Sequence, residues 1–416
     1  MSVSTAEPKP AVVPSHDRAR LADLSLSAVA MGLLAATVGF ASSFAIVLAG
    51  LRATGASEAQ ATSGLMALSI AMGLSGIWLA ATRRMPIGVA WSTPGAALLI
   101  ASGASLESFE TAVGAFVASG ALLLLAGLFR PLGRAIESIP SSLANAMLAG
   151  ILLPICLAPV HALGGEHALL AAPLIVTWWL VGRVQRLWAV PAALLVLVGL
   201  VLWRIGLPAG FGASLGEALV PRPLLTVPRF DLQAIVGIGV PLFVVTMASQ
   251  NVPGMAVQRA NGYTPAAGPL IANTGLFSLL SAPFGALGVN LAALTAAMCA
   301  GPDAHPDPAR RYWAAIVAGI AYVAIGLLVG VVALFVTLIP PILVEAIAGL
   351  ALLGAFTGAA VAAFAEPAER ESAAIAFLFA CSGLAFAGVG GAFWGLLAGG
   401  AMHALTRFGR RRRNEG

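Results

Sequence analysis

A small set of residues carries what chemistry this sequence offers. Ser42, Ser43 and Phe44 fall late in one apolar run, and Ser249, Gln250 and Asn251 fall at the equivalent place in another. Ser92 and Thr93 stand ahead of one short apolar stretch, and Asn290 ahead of a second. Polar residues inside apolar spans mark a functional site by default. Brought together, these hydroxyls and amides form an uncharged, donor-rich site. Such a site suits a carboxylate, because donors pair with it and no fixed acid repels it. Phe44, with Phe40, Trp91 and Phe243, offers an apolar wall for a ring. Each Ser or Thr has a second reading, back-bonding to its own helix. Each Asn or Gln has one too, a bond between helices. Glu345 sits deepest of the acids within an apolar run, where burial raises a carboxyl's pKa. It is either a proton carrier or the partner of a neighbouring polar group.

Other chemistries lack their residues. There is no GxxxxGK[ST] phosphate loop and no HExxH. The five histidines are scattered. Cys156, Cys299 and Cys381 are isolated small hydrophobes rather than metal ligands. The expectation is a non-enzyme with no catalytic residue, no metal and no cofactor.

Two broken stretches position the polar set. Ser281–Gly301 reads SAPFGALGVNLAALTAAMCAG, with Pro283, Gly285 and Gly288 breaking its first half. Asn290 is then a good N-cap for a helical run over Leu291–Ala300. Met85–Gly103 reads MPIGVAWSTPGAALLIASG; Thr93 is the expected cap, with Pro94 at the first helical position. The bilayer core is ~30 Å thick, and ten helical residues cover only ~15 Å. Extended backbone must supply the rest, and it is tolerated at that depth only inside protein or along a cavity. A half-helix whose N-terminus faces such a cavity is a place to hold an anion. Two such segments in corresponding halves point to a transporter's binding site.

Composition sets the class. Of 416 residues, 59% are hydrophobic and 9% charged, against about 25% charged in soluble chains. The apolar runs are of helix length, so the fold class is an all-α polytopic membrane protein rather than a β-barrel. Hydropathy and breakers give about fourteen segments. They begin near Leu24–Gly50 and Ala59–Thr82, with segments three (Pro86–Gly103) and ten (Ser281–Gly301) each a short strand plus a half-helix. Segment eight covers about Leu232–Gln250, segment twelve Pro340–Gly358 and segment thirteen Glu371–Phe386. A connector at 206–230 divides the chain almost in half. Placing both termini in the cytoplasm puts eighteen of the 22 basic residues inside. Among them are Lys9, Arg18, Arg20, Arg83, Arg84, Arg130, Arg134, Arg310 and Arg311. The Arg410–Arg413 run then reads as an orientation and lipid-contact signal, not a nucleic-acid patch.

The halves resemble each other. ASSFAIVLAGLRATG at Ala41–Gly55 matches ASQNVPGMAVQRANG at Ala248–Gly262, pairing Ser42 with Ser249 and Arg52 with Arg259. IPSSLANAMLAGILL at Ile139–Leu153 matches IPPILVEAIAGLALL at Ile339–Leu353. Seven segments per repeat is odd, so the second repeat sits inverted, the plan of secondary transporters. Small-xxx-small pairs such as Gly391/Gly395 and Gly395/Gly399 serve either internal packing or a homodimer contact.

The run VNLAALTAAMCAGPDAHPDPARRYW at Val289–Trp313 resembles the BenE family of benzoate–proton symporters. AGLALLG at Ala348–Gly354 and GAFWGL at Gly391–Leu396 support the likeness, which covers nearly the whole chain after the N-terminal tail. It implies a bacterial inner-membrane carrier that brings benzoate or a similar aromatic acid in with a proton. It also implies the seven-plus-seven fold of nucleobase permeases and sulfate-type anion carriers. On that plan, 1–23 is a cytoplasmic tail, and 24–129 and 231–336 form a core domain. The stretches 130–205 and 337–407 form a gate, and 408–416 is a basic cytoplasmic tail. Substrate sits between the half-helices of segments three and ten. Nucleobase carriers of this fold place acids in segments eight and ten, where this chain has Gln250, Asn251 and Asn290. The proton-binding residue therefore does not carry over. An exchanger or uniporter of another small anion, or an anion channel, is the alternative on the same residues.

Overall fold

The structure is a computed structural model and describes residues 20–103, 106–129, 131, 140–205, 211–386 and 389–414. Lys9, Arg18, Arg130 and Arg134 lie outside the described residues, as does most of the expected N-terminal tail.

Short polar signals start and stop the helices. Ser25 caps α1 (Leu26–Ala41) by accepting from Ala28 N at 3.1 Å. The first span then breaks before α2 (Phe44–Ala53). The Ser42 and Ser43 hydroxyls both donate to the Gly39 carbonyl, at 3.1 and 3.2 Å, in competition with the helix ladder. A Ser57/Gln60 capping box opens α3 (Glu58–Arg83). Next come β1 (Val89–Trp91), α4 (Thr93–Ser102) and α5 (Phe109–Leu128), then α6 (Ser141–Gly164), α7 (Ala168–Val184) and α8 (Ala189–Ile205). The connector holds a short helix, α9 (Phe211–Ala218), and then an extended strap. Leu224 N donates to Ser63 Oγ at 2.9 Å and Thr226 N to the Pro283 carbonyl at 2.7 Å, which tie the strap down.

The second half repeats the plan. Helix α10 runs over Leu232–Ala260, ten residues beyond the expected end at Gln250. Asp231 caps it through Ala234 N at 2.8 Å. It contains two π turns, Ile235–Gly239 and Met247–Asn251, which lie just before Pro241 and Pro253. A proline has no N–H for the ladder, and the preceding turn widens to accommodate it. Then come α11 (Ala267–Ser281), β2 (Val289–Leu291), α12 (Leu294–Ala300), and α13 (Tyr312–Leu327) with α14 (Val329–Thr337), bent by 55°. The chain ends with α15 (Pro341–Phe364), α16 (Arg370–Cys381), a two-residue strand pair, and α17 (Gly391–Asn414). Segment thirteen thus stops at Cys381, short of its expected end.

Six described helices are long and apolar enough to cross a membrane, or seven counting the bent pair. The other expected segments fall on shorter or broken units. Packing shows the repeat: α3 lies on α13 and α11 on α5, the same pairing made twice, while α6 lies on α15, its own counterpart. Gly73 and Gly319 face each other between α3 and α13, where a Cβ on either would meet the other's carbonyl at 2.5–2.7 Å. Gly395 and Gly399 lie against the Ala376 and Ser372 carbonyls of α16. That small-residue stripe is internal packing between α16 and α17.

Candidate substrate-binding site

The two strands cross in the middle of the chain's polar set. β1 and β2 pair antiparallel, Val89 with Leu291, Ala90 with Asn290 and Trp91 with Val289. So short a ladder needs outside support, because buried backbone groups left unpaired are costly. Ser278 of α11 accepts from Val289 N at 2.9 Å while donating to the Thr274 carbonyl at 2.8 Å. Asn251, on the second π turn, accepts from Leu291 N at 2.9 Å. Ala292 N reaches the Gly88 carbonyl at 2.9 Å. The widened turn aims Asn251 at the strand, a use typical of π turns.

Asn290 is fully buried. In the orientation that satisfies both ends of its amide, Oδ1 accepts from Ser92 N and Nδ2 donates to the Leu291 carbonyl, each at 2.8 Å. It is therefore not the helix cap expected from its neighbours. The ladder holds 289–291 extended, and α12 begins only at Leu294, behind Ala293. The cap of α4 is likewise Ser92 rather than Thr93. Ser92 Oγ accepts from Gly95 N at 3.1 Å and from the Thr246 hydroxyl at 2.9 Å.

On the other side, Trp91 Nε1 donates to Ser43 Oγ at 2.9 Å. Phe40 stacks on Phe44 at 5.3 Å and meets Trp91 edge-on at 5.4 Å, so three of the four expected wall residues form a packed cluster at the break in the first span, without a ring contact to Phe243 among the described residues. Ser43, Ser92, Asn251 and Asn290 are buried and hold the crossing. Ser42, Thr93, Ser249 and Gln250 are half-buried around it. Ser249 back-bonds to the Val245 carbonyl at 2.6 Å. Helix α4 and the π turn both pack against α6, and α2 packs against α15.

Glu345 does not join this group. It is exposed, while its neighbours Leu343, Val344, Ala346 and Ile347 turn inward.

Several residues at the crossing carry little signal in the sequence. Thr246 and Ser278 look like ordinary back-bonding hydroxyls. Thr295 Oγ1 is buried without a hydrogen-bond partner. Arg311 wraps the C-terminus of α12: its guanidinium donates to the carbonyls of Ala300 (2.8 Å), His305 (2.7 Å) and Pro306 (3.3 Å). Tyr263, between α10 and α11, reaches this loop by donating to the Pro308 carbonyl at 2.8 Å, and burial pushes its phenol up to about 12. The AHPDPARRYW motif is thus the buttress behind the second half-helix. Asp23 adds to it by taking Arg84 at 2.6 Å and the Tyr312 hydroxyl at 2.7 Å.

The family model described as benzoate membrane transport protein, BenE, matches residues 22–405. The chain belongs to the BenE family. An inner membrane protein of Escherichia coli K12, YdcO, is 40% identical over 90% of this chain and 94% of its own length. The benzoate membrane transport protein of Acinetobacter baylyi is 32% identical over 91% of this chain and 94% of its own. Among solved structures, the transmembrane domain of a cyanobacterial bicarbonate transporter, BicA, superposes with a TM-score of 0.59. It covers 92% of this chain and 99% of its own length at 15% identity, a likeness of fold alone. This BenE-family chain is therefore a multi-pass membrane transporter built from two inverted repeats, not an enzyme.

Proposed function

We propose that this protein imports benzoate or a similar aromatic carboxylate together with a proton across the bacterial inner membrane. It has fourteen segments and both termini in the cytoplasm. The core, 24–129 with 231–336, moves against the gate, 130–205 with 337–407. The observation that carries the reading is the strand crossing of a BenE-family chain, ringed by neutral hydroxyls and amides beside Phe40, Phe44 and Trp91. Ser42, Thr93, Ser249 and Gln250 contact the substrate. Ser43, Ser92, Asn251 and Asn290 position the backbone behind them. Proton coupling has a physical motive: an anion entering against an inside-negative potential costs about 2.3 kcal/mol per 100 mV, and one accompanying proton removes that cost.

The test is radiolabelled benzoate uptake into proteoliposomes, with and without an inward proton gradient and corrected for passive permeation in protein-free liposomes. Accumulation that a protonophore abolishes is the expected result. Protein-dependent flux that only equilibrates would make it a uniporter, and no flux above empty liposomes would remove benzoate as substrate.

A further inference from the structure

The groups around the crossing are chemically unlike an anion site. Helix α4 has little left to offer a carboxylate at its N-terminus. Ser92 Oγ takes Gly95 N, the Ser92 carbonyl takes Ala96 N, and Pro94 has no N–H. Asn290 takes Ser92 N. Thr93 N–H is the one amide of that turn that neither cap nor ladder uses. Among the described residues the one buried charged side chain is Arg311, and its guanidinium is engaged by three carbonyls beyond the far end of α12. A carboxylate at the crossing would be desolvated without a counter-charge, which is costly.

Two of the three half-buried hydroxyls, Ser42 and Ser249, add a positive preference. Ser42 gives its hydrogen to the Gly39 carbonyl and Ser249 gives its own to the Val245 carbonyl. Each therefore presents lone pairs, not a hydrogen, to anything beside it. Lone pairs repel a carboxylate and accept from the O–H of a carboxylic acid. Gln250, on the same turn as Ser249, carries an amide that both donates and accepts. No Asp, Glu or His is buried among the described residues, and Glu345 is exposed.

We propose that the species bound at this site is the neutral aromatic carboxylic acid, so that the coupled proton travels on the substrate's own carboxyl group. This rests on the transport reading above. The carboxylate takes one proton from the medium outside and returns it inside. The protein itself neither gains nor loses a proton. A carboxyl with a pKa near 4.3 is about one five-hundredth protonated at pH 7, so apparent affinity for total ligand falls about tenfold per pH unit.

Equilibrium binding to the purified full-length protein tests this without interference from passive permeation. The probes are radiolabelled benzoate and radiolabelled benzamide, the latter an uncharged isostere with both a donor and an acceptor. Benzenesulfonate, an anion throughout, serves as competitor. Between about pH 5.5 and 7.5 the benzoate Kd is expected to rise about a hundredfold. The benzamide Kd should stay constant, and benzenesulfonate should not compete. A benzoate Kd independent of pH, or displacement by benzenesulfonate, would show that the anion is bound and overturn the proposal. Benzamide binding that weakens in step with benzoate would put the proton on the protein, which overturns it equally. Absence of saturable benzoate binding at every pH would instead refute the transport reading on which the proposal stands.

Discussion

Ala90 and Asn290 face each other at the centre of the strand crossing, and each is the other's counterpart in the repeat, 200 positions away (290 − 90). Val89 faces Leu291 and Trp91 faces Val289, so the ladder maps onto itself when the halves are exchanged. The pseudo-two-fold axis passes through this pair. Only one partner is polar: Ala90 brings a methyl, and Asn290 brings the amide that bonds Ser92 N and the Leu291 carbonyl. The repeat is symmetric in backbone and asymmetric in chemistry.

Asn290→Ala leaves two buried backbone groups without partners, at about 1–3 kcal/mol each. A clear drop in Tm with weakened benzoate binding is expected. An unchanged Tm in that variant would show that water takes over both bonds.

Gln250→Ala is expected to separate binding from stability. The side chain is half-buried on the π turn, with no protein hydrogen bond among the described residues. Its loss should weaken benzoate and benzamide alike by about tenfold, or 1.4 kcal/mol, and leave Tm almost unmoved. Wild-type affinity in that variant would take Gln250 out of the contact set.

The breaks in the chain were legible, because Pro86, Gly88, Pro283, Gly285 and Gly288 act locally and strongly. The element beyond each break was only partly so. Asn290 ahead of an apolar run looks like a helix cap, and nothing nearby says that a strand 200 residues earlier will claim it. Ser278 and Thr246 look like hydroxyls that satisfy themselves, and Ser278 does back-bond as well as clamping β2. Glu345 lies in an apolar run, but which face of α15 turns inward is decided by its packing on α6 rather than by local sequence. Composition shows depth in a sequence and not the direction of a side chain.

Arg311→Lys should behave like a loss. Three carbonyls converge on a planar fork that an ammonium cannot reproduce, and two of them would lose their partner. A fall of about 2–4 kcal/mol in stability is expected, read as a lower Tm. A Lys variant as stable as wild type would mean that charge alone, not the fork, holds the end of α12.

Thr295→Val should stabilise. The hydroxyl is buried without a partner, and such a group costs about 1–3 kcal/mol. The substitution keeps the branched shape and removes the oxygen, so Tm should rise. A fall would mean that a water occupies the cavity of about 10 Å3 lined by Thr295, Tyr322 and Gly88 and bonds the hydroxyl.

Gly39→Ala should be among the most damaging small changes in the chain. A Cβ there would overlap the Tyr322 hydroxyl oxygen and lie 3.0 Å from Thr295 Cγ2, while the Gly39 carbonyl already receives Ser42 and Ser43. Forcing α1 away from α13 costs about 1–3 kcal/mol and shifts the break that orients Ser43 toward Trp91. Because the overlap is with one oxygen, Tyr322→Phe in the same chain should recover part of the lost Tm. The coupling expected between the two changes is about 1 kcal/mol. Strictly additive losses would show that the clash lies with Thr295 and the backbone rather than with the phenol.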